Sequence, residues 1–151
     1  MRIKTFASLA IALLAPVLQA AHAGEFFEEK GIALRGYDPV SYFSDKEPRK
    51  GIPSHQVIYR GSTFYFANEK DKLAFQKEPE KYAPQFGGFC AYGAAQGYKV
   101  TTQPDAFAVV DGKLYLNYDS KVLERWKEDV PGNIERAERN WPEVSKAEVR
   151  K

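Results

Sequence analysis

The sequence predicts a small single domain of the α+β class, in which two β-hairpins are combined with short helices. Apolar residues alternate on either side of Gly61 in residues 56–66, and apolar runs flank Asp111-Gly112 in residues 106–118. Such pairs of runs predict antiparallel hairpins, because glycine and Asp-Gly adopt the backbone angles of a tight turn. The 151-residue chain shows no clear internal repeat, and its length suits one domain.

The first predicted elements precede the first hairpin. Residues 31–35 predict a short strand, and Asp38 can cap a following helical turn. Pro39 would take the first position of that turn, where a missing N–H costs nothing. The side chains expected to pack inward are Val40, Tyr42 and Phe43.

A helix is predicted after the first hairpin. Asn68 can cap it, it runs to about Lys77, and Leu73 and Phe75 are expected to face inward. Pro79 then ends this helix or opens a short turn that reaches Tyr82.

The C-terminal half predicts further short helices around the second hairpin. They are residues 91–96, residues 120–129 with Ser120 as the cap, and residues 133–142 after a break at Pro131-Gly132. The charged residues 143–151 have little to bury, so they are expected to be frayed or a weak terminal helix.

The first 23 residues have the pattern of a secretory signal peptide. Arg2 and Lys4 precede an apolar run over residues 6–18, and Ala21-His22-Ala23 is a small-x-small cleavage pattern. We therefore expect cleavage near Ala23 and a periplasmic or secreted protein. The expected organisation is residues 1–23 as signal peptide, 24–142 as the domain and 143–151 as a charged tail.

Charge and hydropathy argue against nucleic acid and anionic lipid as partners and against insertion into a membrane. Without Arg2 and Lys4 the 22 basic residues fall to 20, equal to the 20 acidic ones. No basic stripe remains, which argues against nucleic acid and anionic lipid as partners. The apolar run at the start is too short to span a bilayer, so stable membrane insertion is not expected.

Cys90 is the main candidate functional residue, because a lone thiol in an exported protein cannot form a disulfide within its own chain. Two interpretations stay open: a small buried apolar side chain, or a functional thiol. Gly87 and Gly88 would let the backbone approach a ligand closely. A helix over residues 91–96 would place the thiol at a helix N-terminus and lower its pKa.

Four further residues are weaker candidates. His55 lies in a predicted loop and becomes interesting only if it faces Cys90. Asp38 is either a helix cap or a carboxylate beside a pocket formed by Tyr37 and Tyr42. Tyr37 and Tyr92 are the aromatic residues expected to line a pocket, whereas most other aromatic side chains are expected in the core.

Three motifs carry a resemblance to a known family. Asp38-Pro39-Val40, the aromatic run of residues 59–66 and the spacing Phe75-x-x-x-Pro79-x-x-Tyr82 resemble the YHS domain over residues 36–82. Residues 83–142 are similar to the C-terminal extension of small exported bacterial members. The resemblance implies a small α+β module related to zinc-finger-like modules. It also implies metal handling, since many YHS domains occur in heavy-metal contexts such as copper-transporting pumps.

The sequence departs from the metal-associated members of that family. Those members commonly carry cysteines where this chain has Ser41, Ala67 and Asp71. A structural zinc site needs about four Cys or His ligands, and the mature chain offers only Cys90 and His55. Structural zinc is therefore not expected. A sparse Cu(I) site stays open, held by Cys90, His55 and a carboxylate or a second molecule of a homodimer.

The leading hypothesis is a periplasmic YHS-domain binding protein that takes a soft metal ion such as copper, or a small ligand, at a pocket containing Cys90. The common hydrolase, metalloprotease and dithiol motifs are missing, and so are the nucleotide-binding glycine loops, so no nucleotide cofactor is expected. One alternative is a thiol-based enzyme or redox sensor in which His55 activates Cys90. Another is a non-catalytic interaction module with a homodimeric or periplasmic protein partner.

Overall fold

The computed structural model describes residues 25–151, so the predicted signal peptide lies outside the described residues. Helices and strands are both present, which confirms the α+β prediction. The strands are β1 (Glu28–Glu29), β2 (Ile32–Ala33), β3 (Tyr37–Asp38), β4 (Arg49–Lys50), β5 (Ile52–Tyr59), β6 (Ser62–Phe66), β7 (Lys99–Val100), β8 (Phe107–Val110), β9 (Lys113–Leu116) and β10 (Val149–Arg150). The helices are α1 (Ser41–Ser44), α2 (Glu69–Lys77), α3 (Pro79–Tyr82), α4 (Ala91–Ala95), α5 (Ser120–Lys127) and α6 (Val130–Val144).

Across residues 25–151, none of the helices combines the length and the apolar character that crossing a membrane requires.

Both predicted hairpins form. Strands β5 and β6 pair antiparallel around Arg60 (φ 47°) and Gly61 (φ 81°), and β8 and β9 pair around Asp111 (φ 51°) and Gly112 (φ 71°). Two successive positive φ angles define the turn that matches the twist of a hairpin. Ser62 directly follows the first turn and is the first residue of β6.

The largest sheet has four strands in the order β1-β2-β6-β5. The β5–β6 and β1–β2 pairs are antiparallel, whereas β2 lies parallel to β6. The remaining strands form two-stranded pairs: β3 with β4, β8 with β9, and β7 with β10.

Helix α2 covers the four-stranded sheet with aromatic packing. Asn68 caps it, because its Oδ1 accepts a hydrogen bond from the Asp71 N–H at 2.8 Å. The Phe75 ring lies 5.1 Å, between centroids, from the rings of both Phe64 and Phe66. Phe75 is fully buried as predicted, but Leu73 is 54% exposed, so its predicted inward position is wrong. Two residues advance a helix by about 200°, which places these side chains on opposite faces.

The C-terminal helices differ from the prediction at their starts. Asp119, and not Ser120, caps α5 by accepting a hydrogen bond from the Val122 N–H at 2.8 Å. Pro131 does not break a helix: it lies in the first turn of α6, where its missing N–H would have no partner within the helix. Helix α6 therefore begins three residues before the expected Asn133, and it packs against α4 through Ala94, Ala95 and Ala137.

The C-terminal tail, expected to be frayed or a weak terminal helix, instead contains the end of α6 and the strand β10. Helix α6 continues through Pro142 to Val144, and β10 then pairs parallel with β7. The Lys99 ammonium donates a hydrogen bond to the Ser145 carbonyl at 2.9 Å. These contacts bring the last residues beside the segment that carries Cys90.

The opposite environments of Phe75 and Leu73 predict different mutational costs on one helix. Phe75→Ala should lower the free energy of unfolding by about 3–5 kcal/mol, because it empties a fully buried aromatic site. Leu73→Ala should change it by less than about 0.5 kcal/mol, since this side chain is largely in solvent. Equilibrium denaturation in urea measures both. Similar losses for the two variants would contradict the observed orientation of α2.

Candidate functional site: the Cys90 pocket

Two glycines position the segment that leads to Cys90. Gly87 and Gly88 have positive φ angles of 60° and 76°. A Cβ added at Gly87 would lie 2.5 Å from the Glu25 carbonyl oxygen, and one at Gly88 would lie 2.6 Å from the Leu34 side chain. Only glycine satisfies both the backbone angle and the available space. These glycines therefore serve close packing of the chain against the N-terminal segment.

Cys90 is 2% exposed and caps helix α4. Its sulfur accepts a hydrogen bond from the Gly93 N–H at 3.3 Å, and its S–H donates to Asn117 Oδ1 at 3.6 Å. The same amide oxygen accepts a hydrogen bond from the Tyr92 N–H at 3.1 Å. Asn117 is fully buried, and its Nδ2 has no hydrogen-bond partner within residues 25–151. The thiol is thus held in one orientation by a buried amide and the first turn of α4.

The surroundings of Cys90 raise the pKa of its thiol, whereas the sequence predicts a lowered pKa. Burial raises the pKa of the thiol, and this effect outweighs the neighbouring backbone N–H groups, including that of Gly93, which lower it. The carboxylate of Asp119 raises it further. The pKa lowering expected from the helix N-terminus is therefore wrong: α4 has little more than one turn, and desolvation of the thiolate dominates. The protonated thiol is the form that can donate to Asn117.

A cavity of about 420 Å³ includes Cys90 in its wall. Its side chains are mainly apolar or aromatic. They come from α4, β7, α5 and β10, and from residues that adjoin these elements. The lining residues are Cys90, Tyr92, Gly93, Gln96, Tyr98, Val100, Tyr118, Val122, Arg150 and Lys151. We call this cavity the Cys90 pocket.

Of the residues singled out by sequence, the pocket brings together Cys90 and Tyr92 only. His55 lies on β5, where its Nδ1 is 3.1 Å from Glu69 Oε2, and it is not among the lining residues of the Cys90 pocket. Tyr37 lies on β3, with the Lys50 ammonium 4.5 Å from its ring centroid. In residues 25–151, no group of three or more His, Cys, Asp or Glu side chains is placed so that it could hold a metal ion.

Asp38 forms a separate buried polar centre. Its Oδ1 accepts a hydrogen bond from the Val40 N–H at 2.8 Å, and its Oδ2 accepts one from the Ala67 N–H at 2.9 Å. The Asp38 carbonyl accepts a hydrogen bond from the Ser41 hydroxyl at 2.7 Å. Asp38 therefore caps the chain before α1, although the helix starts at Ser41 and not at Pro39. Its carboxylate is satisfied by backbone N–H groups and is fully buried.

Burial raises the pKa of Asp38 to about 6 from its ordinary 3.8, although the N–H donors of Ala67 and Val40 lower it. The carboxyl group of Asp71 raises the pKa further. Asp71 is itself buried and accepts a hydrogen bond from the Asn68 amide at 2.9 Å. Three positions at which the sequence departs from metal-associated YHS domains therefore act on Asp38: Ser41 and Ala67 through hydrogen bonds, and Asp71 through its carboxyl group.

Sequence reasoning missed most of the pocket wall. Asn117 had one signal: an amide directly after the apolar run of residues 114–116 is a candidate buried polar group. Tyr98 and Tyr118 resemble many other aromatic residues of this chain. Arg150 lies in the tail that was expected to be frayed, so no local signal pointed to it.

Comparison of the chain with protein-family models, with curated proteins and with solved structures finds no match. The resemblance to the YHS domain stays a prediction.

The Asp38–Asp71 pair predicts a pH dependence of stability. Because the folded-state pKa of Asp38 is raised to about 6, the folded protein binds more protons than the unfolded chain between pH 4 and 6. This stabilisation is full below pH 4 and is lost as pH rises through 6, with a magnitude of up to about 3 kcal/mol.

The check is urea denaturation of wild type, Asp38→Asn and Asp71→Asn between pH 5 and 8. The loss of stability with rising pH should disappear in Asp38→Asn, which cannot titrate at this position, and should be smaller in Asp71→Asn. Parallel pH profiles for all three proteins would show that Asp38 has an ordinary pKa.

The buried thiol predicts slow alkylation. Cys90 should react with iodoacetamide far more slowly in the folded protein than in denaturant, with a pH midpoint above the free value of ~8.5. The rate is measured by mass spectrometry across pH 6–10. Rapid reaction of the folded protein at pH 7, with a midpoint below 8, would favour the thiol-enzyme hypothesis instead.

Proposed function

We propose that this protein is an exported binding protein that takes a small, largely apolar ligand in the Cys90 pocket. The observation that carries the proposal is the cavity of about 420 Å³, in which three tyrosines and two valines share the wall with a buried thiol. Ligand sites are typically concave, mainly apolar and provided with a few polar groups that fix orientation. The predicted signal peptide supports a periplasmic or secreted location as part of the same proposal.

The exposure of the tyrosines supports ligand binding. Tyr98 is 43% exposed and Tyr118 is 40% exposed, and both belong to the pocket wall. Aromatic side chains left open to solvent around a concave surface are typical of recognition sites, because their burial by a ligand is favourable.

The geometry favours a small organic ligand over the predicted soft metal ion. The Cys90 sulfur accepts the Gly93 N–H, so the positive end of a backbone dipole already faces it. A Cu(I) ion would need the thiolate, whose formation burial opposes. The other potential metal ligand beside the sulfur is the neutral amide oxygen of Asn117, whereas Cu(I) prefers soft sulfur and imidazole ligands.

A thiol-based mechanism has less support from the same contacts. A nucleophilic cysteine needs a neighbouring base or a lowered pKa. The hydrogen-bond partners of the Cys90 sulfur are the Asn117 amide oxygen and the Gly93 N–H, and neither is a base that could remove the thiol proton. Cys90 instead supplies a small, polarisable wall atom beside the aromatic rings.

A neutral fluorescent probe tests the proposal. N-Phenyl-1-naphthylamine should bind the protein saturably, with a gain in fluorescence as it leaves water. Val122→Trp places a large side chain in the pocket wall and should weaken binding by about tenfold or more. Val109→Trp is the matched control, because Val109 lies on β8 and is not a lining residue.

Circular dichroism confirms that both variants are folded. If the probe does not bind saturably, or if Val122→Trp binds it as tightly as Val109→Trp does, the Cys90 pocket is not the ligand site.

A further inference from the structure

We propose that the ligand of the Cys90 pocket is an aromatic organic anion whose acidic group is bound by Arg150. This inference rests on the proposed function and deepens it by naming the chemical class of the ligand. It follows from the charges of the pocket wall and from the free edge of one guanidinium group.

The charged side chains of the pocket wall are all basic. Arg150 and Lys151 line it, and no aspartate or glutamate is among its described lining residues. The other lining side chains are apolar or neutral, so no acidic side chain of the wall offsets these two cations; the carboxylate of Asp119, which acts on Cys90, caps α5 and is not among the lining residues. A mainly apolar site with a positive edge attracts a ligand that combines an apolar body with a negative group.

Arg150 differs from the arginines that have carboxylate partners. Arg60 is bound by both Glu25 and Glu80, at 3.1 and 3.2 Å. Within residues 25–151, neither Arg150 nor Lys151 forms an ion pair with a carboxylate. Their charge is therefore available to a ligand.

The Arg150 guanidinium is held against an aromatic ring. Its central carbon lies 3.7 Å from the centroid of the Tyr98 ring, and Arg150 itself is fixed by the pairing of β10 with β7. A guanidinium that stacks through its face keeps the N–H groups of its edge free. Such an edge matches the two oxygens of a carboxylate or sulfonate, and the stacking reduces the freedom that binding would otherwise remove.

The neighbouring cavity does not decide where the acidic group lies. This cavity of about 490 Å³ shares Tyr118 and Lys151 with the Cys90 pocket, and acidic and basic side chains are mixed in the rest of its wall, which includes Glu28, Glu29, Lys30 and Arg35. The acidic group is expected at Arg150 because the stacked guanidinium offers its edge there, while the aromatic body lies among Tyr92, Tyr98 and Tyr118.

Two probes, one charged and one neutral, distinguish the contribution of charge to the affinity from the contribution of apolar contacts. 8-Anilinonaphthalene-1-sulfonate and N-phenyl-1-naphthylamine share one ring skeleton, and only the first carries a sulfonate. The sulfonate probe should bind wild type about tenfold more tightly than the neutral probe, and this preference should fall with added salt.

Arg150→Gln removes the charge and should lower the affinity for the sulfonate probe about tenfold, while the affinity for the neutral probe changes less than about twofold. Arg139→Gln is the control, because Arg139 is an exposed arginine of α6 outside the pocket wall. It should leave both affinities unchanged. Fluorescence titration measures all four combinations of variant and probe, and circular dichroism confirms folding.

The outcomes distinguish this inference from the function on which it rests. If the neutral probe binds but the sulfonate adds no affinity, or if Arg150→Gln weakens both probes equally, the assignment of an anionic ligand is overturned and the binding function stands. If the neutral probe does not bind saturably, the proposed function itself fails, whatever the sulfonate probe does.

Discussion

The position of the candidate site depends on the close backbone packing at Gly87 and Gly88. Three hydrogen bonds hold this segment: the Phe27 N–H donates to the Gly87 carbonyl at 2.7 Å, the Thr102 hydroxyl donates to the Gly88 carbonyl at 2.7 Å, and the Cys90 N–H donates to the Val100 carbonyl at 2.9 Å. They connect the N-terminal segment to the strand β7 that borders the pocket. Because a side chain at either glycine would collide with its surroundings, this connection sets where α4 begins and where the thiol lies.

Burial of Cys90 reconciles the two interpretations that the sequence left open. The thiol is packed and keeps its proton, as expected of a small apolar side chain, yet it belongs to the wall of a cavity. Its partner Asn117 is a buried amide with one donor group unsatisfied within residues 25–151. A buried polar group costs free energy unless it is bonded, so the contacts of Asn117 with Cys90 and Tyr92 fix its orientation strongly. These contacts hold the Cys90 thiol in one orientation within the pocket wall.

Local signals in the sequence were sufficient for the two hairpin turns and for the cap of α2, but not for every helix boundary or for the pocket. The turns at Arg60-Gly61 and Asp111-Gly112 and the cap at Asn68 depend on neighbouring residues, and these predictions were confirmed. The start of α6 was missed because Pro131 fits either a break or a first turn, and the Asp129 side chain decides by accepting a hydrogen bond from the Gly132 N–H. The pairing of β10 with β7 joins residues about fifty positions apart. No local pattern encodes such a contact, so the role of Arg150 could not be predicted.

Asp38 and the Cys90 pocket lie in different parts of the chain. Asp38 belongs to residues 36–82, which carry the predicted resemblance to the YHS domain, whereas the pocket is formed by later residues. Ser41 and Ala67 form hydrogen bonds with Asp38, and the carboxyl group of Asp71 raises its pKa. In this chain the centre is occupied by two carboxyl groups and the N–H donors of Val40 and Ala67, so it serves as an internal cap. All lining residues of the Cys90 pocket come from residues 90–151, outside the YHS-like segment 36–82. The candidate site is therefore built by the C-terminal part of the chain, with apolar and aromatic side chains and two cations in its wall.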